Sequence, residues 1–168
     1  MGSIRILVDA DACPVKEEIY KVAFRREVPV SVVSNSRIRV PDHPLVERVL
    51  VSDAFDAADD WIAEECGAQS SRGHDEHGTG AKTVVVTGDI LLADRCLKKG
   101  ATVLGPTGKP FTTASIGSAI ATRAIMADLR AGGDAVGGPT PFARADRSRF
   151  LQALDEALVR IEAGARDR

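Results

Sequence analysis

Apolar positions along the chain follow two periods. Ile4–Val8 is a short apolar run ended by Asp9, the pattern of a strand buried on both faces. Pro14 suits the first turn of a helix, and Val15, Ile19, Val22 and Ala23 follow at helical spacing. Val28–Val33 is a second, β-branched run stopped by Ser34-Asn35-Ser36, and Leu45–Val51 reads as a third strand. Asp53 can cap the next helix, whose stripe is Ala58, Trp61, Ile62 and Cys66, with Gly67 as its end. Thr83–Thr87 is a fourth strand, Asp89–Lys99 a helix and Ala101–Leu104 a short fifth strand, followed by a turn-rich linker over 105–110.

The last third reads as helical. Thr113 or Ser115 opens a helix that Gly132-Gly133 ends, and Asp146 can cap a final one with Leu151, Leu154, Leu158 and Ile161 on one stripe. Residues 68–82 are polar, Gly-rich and without periodicity, which predicts a flexible loop inserted in one domain of residues 1–163, with a frayed tail at 164–168. Strands alternating with helices predict an α/β fold, a mostly parallel sheet of about five strands with helices on both faces.

Composition narrows the function. At 168 residues the chain fits one domain with a real core. Its 22 basic and 24 acidic residues leave a net charge of −2, so nucleic-acid binding needs a local patch. Aromatic residues are 4% of the chain, which disfavours a base-stacking platform. Cys13, Cys66 and Cys96 are odd in number and not spaced as Cys-x-x-Cys, so neither a disulfide framework nor a Cys-rich zinc site is expected. Together with the absence of an apolar signal core and of any run near the ~18 apolar residues of a membrane span, this predicts a cytoplasmic protein with no membrane partner. The Walker A, dinucleotide and nucleophile-elbow motifs do not occur.

In parallel sheets, ligands bind beyond the carboxyl ends of the strands. The residues there are mostly acidic. The first strand delivers Asp9 and Asp11, and the third Ser52, Asp53 and Asp56, with Asp59 and Asp60 just beyond. The fourth delivers Thr87, Asp89 and, further on, Asp94. Converging carboxylates repel, and Mg²⁺ or Mn²⁺ is the usual relief. Plainer roles compete: Asp11 can cap the helix after Pro14, Asp89 can cap its own helix, and acidic residues favour first turns. Asp56 and Asp60 are one helical turn apart and share a face. The second strand ends in Ser34, Asn35 and Arg37, with Arg39 beyond, groups suited to phosphate contacts. Arg144, Arg147 and Arg149 form a basic cluster that is either a phosphate contact or a solvated helix end. His74 and His77 alone are too few ligands for structural zinc.

The segments ILVDADACPVKEEIY, VSNSRIRVP, VSDAFDAADDWIAEECGA, TVVVTGDILLADRCLKKGATVLGP and PFARADRSRFLQALD together resemble the bacterial YaiI/YqxD family of uncharacterised proteins, over nearly the whole chain except 68–82. That family is regarded as PIN-like, which implies a three-layer α/β/α sandwich and a metal-dependent nuclease acting mainly on RNA. On that pattern Asp9 matches the acid ending the first strand and Asp56, Asp59 or Asp60 the helix position. Asp89 matches the Thr-x-Asp aspartate and Asp94 its neighbouring acid. The Asp-x-Asp of the first strand and the absence of a clear Glu in the middle helix depart from it.

Three functions follow. The leading one is a metal-dependent phosphodiesterase, with Mg²⁺ or Mn²⁺ on Asp9, Asp89, Asp94 and a helix aspartate such as Asp56 or Asp60, and Ser34, Asn35, Arg37 and Arg39 on the substrate. The second is a haloacid-dehalogenase-like phosphatase. There Asp9 is the nucleophile, Asp11 the general acid, Ser34 the phosphate-binding hydroxyl and Lys82 the nearest available lysine. The third is a non-catalytic domain that binds RNA or a protein. The C-terminal helices suit either covering the sheet or joining two copies of the chain.

Overall fold

The computed structural model describes residues 4–72, 82–131 and 142–166. Six strands form one sheet: β1 (Ile4–Asp9), β2 (Val30–Ser34), β3 (Val46–Leu50), β4 (Lys82–Val86), β5 (Thr102–Leu104) and β6 (Pro110–Phe111). Their order is β3-β2-β1-β4-β5-β6, parallel except for β6, which runs antiparallel to β5. The sequence pattern missed β6. Two residues are too few for a period to show, and a hairpin turn closes them on the sheet through Gly105 N–H to the Lys109 carbonyl (2.9 Å).

The five helices are α1 (Lys16–Arg26), α2 (Ala57–Arg72), α3 (Ile90–Lys98), α4 (Thr113–Ala131) and α5 (Arg144–Arg166). The sheet splits the core into two layers, because side chains alternate along each strand. Ile6, Val8, Val30, Val32, Val84 and Val86 pack with α1 and α5 on one face. Leu7, Val33, Val85 and Val103 pack with α2, α3 and the start of α4 on the other. This is the three-layer arrangement that the alternation of strands and helices predicts.

Several boundaries differ from the sequence reading. Asp53 is not a helix cap: α2 begins four residues later, after Asp56, whose φ of +62° is left-handed, and the Asp56 carbonyl accepts the first helical bond from Asp60 N–H (2.8 Å). A short polar side chain tolerates that region better than most. α2 also runs through Gly67 to Arg72, so 68–72 is helix; 73–81, with His74 and His77, lies outside the described residues. Asp146 lies inside the first turn of α5, where its carboxylate reaches back to accept Ala143 N–H (2.9 Å), half of a capping box. α5 extends through Arg166, so most of the expected tail is helical.

α5 anchors the fold. Phe150, Leu154 and Leu158 are fully buried against α1 and the sheet, and Arg26 grips Asp155 with two bonds of 2.7 and 3.0 Å. Two of the three arginines in the expected basic cluster are engaged here. Arg147 donates to the Pro14 carbonyl (2.7 Å), pairs with Glu18 and lies over the Phe142 ring, while Arg149 pairs with Asp146.

Candidate active site

The strand order reverses between β1 and β4. The chain builds outward through β2 and β3, then crosses back through α2 to set β4 beside β1. At such a switch point the loops diverge beyond the carboxyl ends of the two strands and leave a crevice. Here it is a cavity of about 520 Å³ whose walls come from the ends of β1, β2 and β4, the segment before α2, and α4.

Asp9 ends β1 and enters this cavity half-buried. The Thr87 hydroxyl donates to it (2.8 Å) and in turn accepts the Asp89 N–H (3.0 Å). One buried threonine therefore fixes both strand-end aspartates. Asp89 then does two things at once. Its carboxylate caps α3 by accepting Leu91 and Leu92 N–H (2.9 and 3.3 Å), and it lines the cavity.

From the opposite wall come Asp56 and Asp59. The Asp59 carboxyl is pushed up from its ordinary 3.8 to about 6, first by burial and then by the charges of Asp89, Asp9 and Asp56, against a smaller opposing pull from Arg95. Asp9 is likewise raised, mainly by burial, with Asp11 and Asp89 adding to it and the Thr87 bond opposing. The one cation lining the cavity among the described residues is Arg123 of α4, 3.9 Å from Asp89. Sequence reading gave no reason to choose Arg123, because it lies far along the chain in a helix and only the packing of α4 on α3 brings it over Asp89. Phe55 stands at the rim, 92% exposed.

Other expected residues are placed elsewhere. Asp94 turns away and pairs with Lys98 one turn on (2.8 Å). Asp60 pairs with Arg95 of α3 (3.0 Å) and leaves the facing position to Asp59, because the left-handed turn at Asp56 resets the helix register. Asp53 lines the cavity without capping α2. Asp11 also lines it, but no side chain caps α1; Asp11 instead accepts a bond from the Ser34 hydroxyl (2.7 Å). Ser34 is fully buried, so its hydroxyl holds the two loops together and is not open to a substrate. Asn35 lines the cavity, whereas Arg37 and Arg39 are exposed outside it. Lys82 starts β4 opposite Ile4, at the amino edge of the sheet, away from the phosphatase position considered for it.

The donor set is carboxylate oxygen, the chemistry of hard divalent cations such as Mg²⁺ and Mn²⁺. As the side chains lie, no three His, Cys, Asp or Glu residues among those described converge closely enough to hold an ion. The donors therefore suit such a cation in kind, and burial together with the neighbouring carboxylates holds the Asp9 and Asp59 carboxyls above their ordinary range.

Comparison with known proteins adds the family. A model described as "Uncharacterized BCR, YaiI/YqxD family" matches residues 7–160. The chain belongs to this family. It is similar to a protein called UPF0178 of Sphingopyxis alaskensis, 71% identical over 165 residues, 98% of this chain and 99% of that one. A UPF0178 protein of Nitrobacter winogradskyi is 54% identical over 161 residues, 96% of this chain and 94% of that one. No solved structure is significantly similar to the chain. No helix among the described residues is long and apolar enough to cross a membrane.

Proposed function

We propose that this YaiI/YqxD protein is a metal-dependent phosphodiesterase of PIN-like type that cleaves RNA. One observation carries the reading: Asp9, Asp56, Asp59 and Asp89 line a single solvent-open cavity at the switch point, with only Arg123 as a counter-charge among the described residues. That excess of negative charge is costly to an apoprotein and useful to a site that binds a divalent cation. Asp9, Asp59 and Asp89 are the residues that would hold Mg²⁺ or Mn²⁺. When bound, such an ion lowers the pKa of water and stabilises charge on phosphate oxygens.

The chain's own residues supply the rest. Thr87 ties the Asp9 carboxylate to the Asp89 backbone, which holds the ends of β1 and β4 in register at the cavity. Arg123 reaches the cavity with a guanidinium able to meet a non-bridging phosphate oxygen. Asn35 offers a neutral donor on the adjacent wall. The phosphatase alternative is weaker on this geometry, since its hydroxyl, Ser34, is buried and its lysine, Lys82, is at the other edge of the sheet.

The test is calorimetric titration of the metal-free protein with Mn²⁺, beside Asp9→Asn/Asp89→Asn and Asp94→Asn. Both substitutions in the double variant are isosteric, and an asparagine still caps α3. Binding is expected in the wild type and in Asp94→Asn and absent in the double variant, and Mn²⁺-dependent cleavage of single-stranded RNA should follow the same order. Equal Mn²⁺ affinity in the double variant would refute the site.

A further inference from the structure

The acidic cavity does not end at Asp89. A second groove of about 810 Å³ starts from the same Gly88, Ile90 and Arg123 and runs between the 105–110 turn and α4. Its character is opposite. No aspartate or glutamate among the described residues lines it. Pro106, Pro110 and Phe111 give it an apolar floor. Lys109 stands on one side, and Ser118 and Thr122, one helical turn apart on α4, stand on the other. None of these three side chains makes a hydrogen bond or ion pair among the described residues, so their donors are free.

Carboxylates next to free cationic and hydroxyl donors above an apolar floor make a matched pair of environments. A polyanionic strand could be cut over the first and gripped by the second. A phosphomonoester or a lone phosphate would fill only one of them. An apolar floor has no use for phosphate, but it suits the face of a nucleoside.

We propose that this groove binds the nucleotide next to the scissile phosphodiester of a single-stranded substrate, with Lys109 and Arg123 meeting its phosphate and Phe111 and Pro110 lying under its sugar and base. The assignment rests on the phosphodiesterase reading of the adjoining cavity. It adds that the substrate is an oligonucleotide strand extending past the edge of β4 toward β6, with Arg123 shared between the cavity and the groove.

Fluorescence anisotropy with labelled ten-nucleotide single strands, one RNA and one DNA, in Mg²⁺ at low salt tests this on the full chain. Lys109→Ala and Thr122→Val are both exposed changes. Each is expected to weaken strand binding about fivefold. Lys109→Ala should also flatten the dependence of log K on log salt by about 0.7, the value of one single-strand phosphate contact. Lys21→Ala, exposed on α1, serves as the control for a lost surface charge and should change neither. Turnover of bis(p-nitrophenyl) phosphate, a diester with no strand to fill the groove, by the wild type reads cleavage separately from strand binding. If Lys109→Ala binds strands as Lys21→Ala does, or if the wild type holds neither strand, the groove is not a nucleotide site. If strands bind in a Lys109-dependent way while no diester is turned over, the groove assignment stands and the catalytic reading of the cavity fails alone. The RNA and DNA arms separate recognition of the shared phosphate backbone from recognition of the ribose.

Discussion

Replacing Asp59 by asparagine should make the metal-free protein more stable, the reverse of the usual effect of a substitution at a partly buried site. The Asp59 carboxyl titrates near 6 in the folded chain against an ordinary 3.8, because burial and the charges of Asp89, Asp9 and Asp56 oppose its ionisation. Between those two values the folded chain holds a proton that the unfolded chain has lost. Stability therefore falls as pH rises from about 4 to about 6, and the ionised carboxylate remains a burden above that. A gap of about two pH units at ~1.4 kcal/mol each sets a ceiling of about 3 kcal/mol. Asp59 is partly open to solvent, and screening roughly halves this to about 1–1.5 kcal/mol. For a chain of 168 residues that corresponds to a rise in Tm of roughly 3–5 °C. Thermal denaturation followed by circular dichroism, in chelator at pH 4 and pH 7.5, reads it directly. Asp59→Asn should come close to the wild type at pH 4, where Asp59 is protonated in the folded chain and nearly half protonated in the unfolded one, and exceed it at pH 7.5. Adding Mg²⁺ at pH 7.5 should raise the wild type more than the variant, closing the gap. A variant that is no more stable than wild type at pH 7.5, or equally stabilised at both pH values, would refute the claim that these carboxylates repel across one cavity.

Two further predictions concern the scaffold. Gly108 has φ +85°, and a Cβ there would come within 2.9 Å of the Arg149 carbonyl and 3.0 Å of Phe150 Cα. Gly108→Ala should therefore lower stability by about 1–3 kcal/mol in urea unfolding, because both the backbone region and the space are wrong; a neutral result would mean that the β5–β6 turn does not pack on α5. Phe150 is fully buried between α5, α1 and the sheet, and Phe150→Ala should cost about 3–5 kcal/mol by the same assay, with a loss below 1 kcal/mol showing that α5 is not integral to the core.

Local signals made much of this molecule legible. The β-branched runs at 4–9, 30–34 and 82–86 are central strands, apolar on both sides because helices cover both faces. Asp9 and Asp89 could be picked out because each directly follows such a run, and a strand end in a parallel sheet has only one edge to face. The choice among Asp53, Asp56, Asp59 and Asp60 was not available in the same way. A single left-handed residue at Asp56 delays α2 and rotates its first turn, so Asp59 faces the cavity while Asp60 faces Arg95. A backbone angle of one residue leaves no mark on periodicity. Asp94, five residues after Asp89, reads as a further ligand, yet Lys98 one turn away pairs with it on the helix surface.

Chain order, the first five strands and the acidic edge were thus determined by short stretches of sequence, where hydrophobic period and strand termini act over a few residues. The pairing of β1 with β4, the approach of Arg123 to Asp89 and the joining of the acidic cavity to the Lys109 groove were decided only by tertiary structure. Each of these brings together residues tens of positions apart, and that closeness is set by how whole helices pack on the sheet and not by any local preference of the residues that meet.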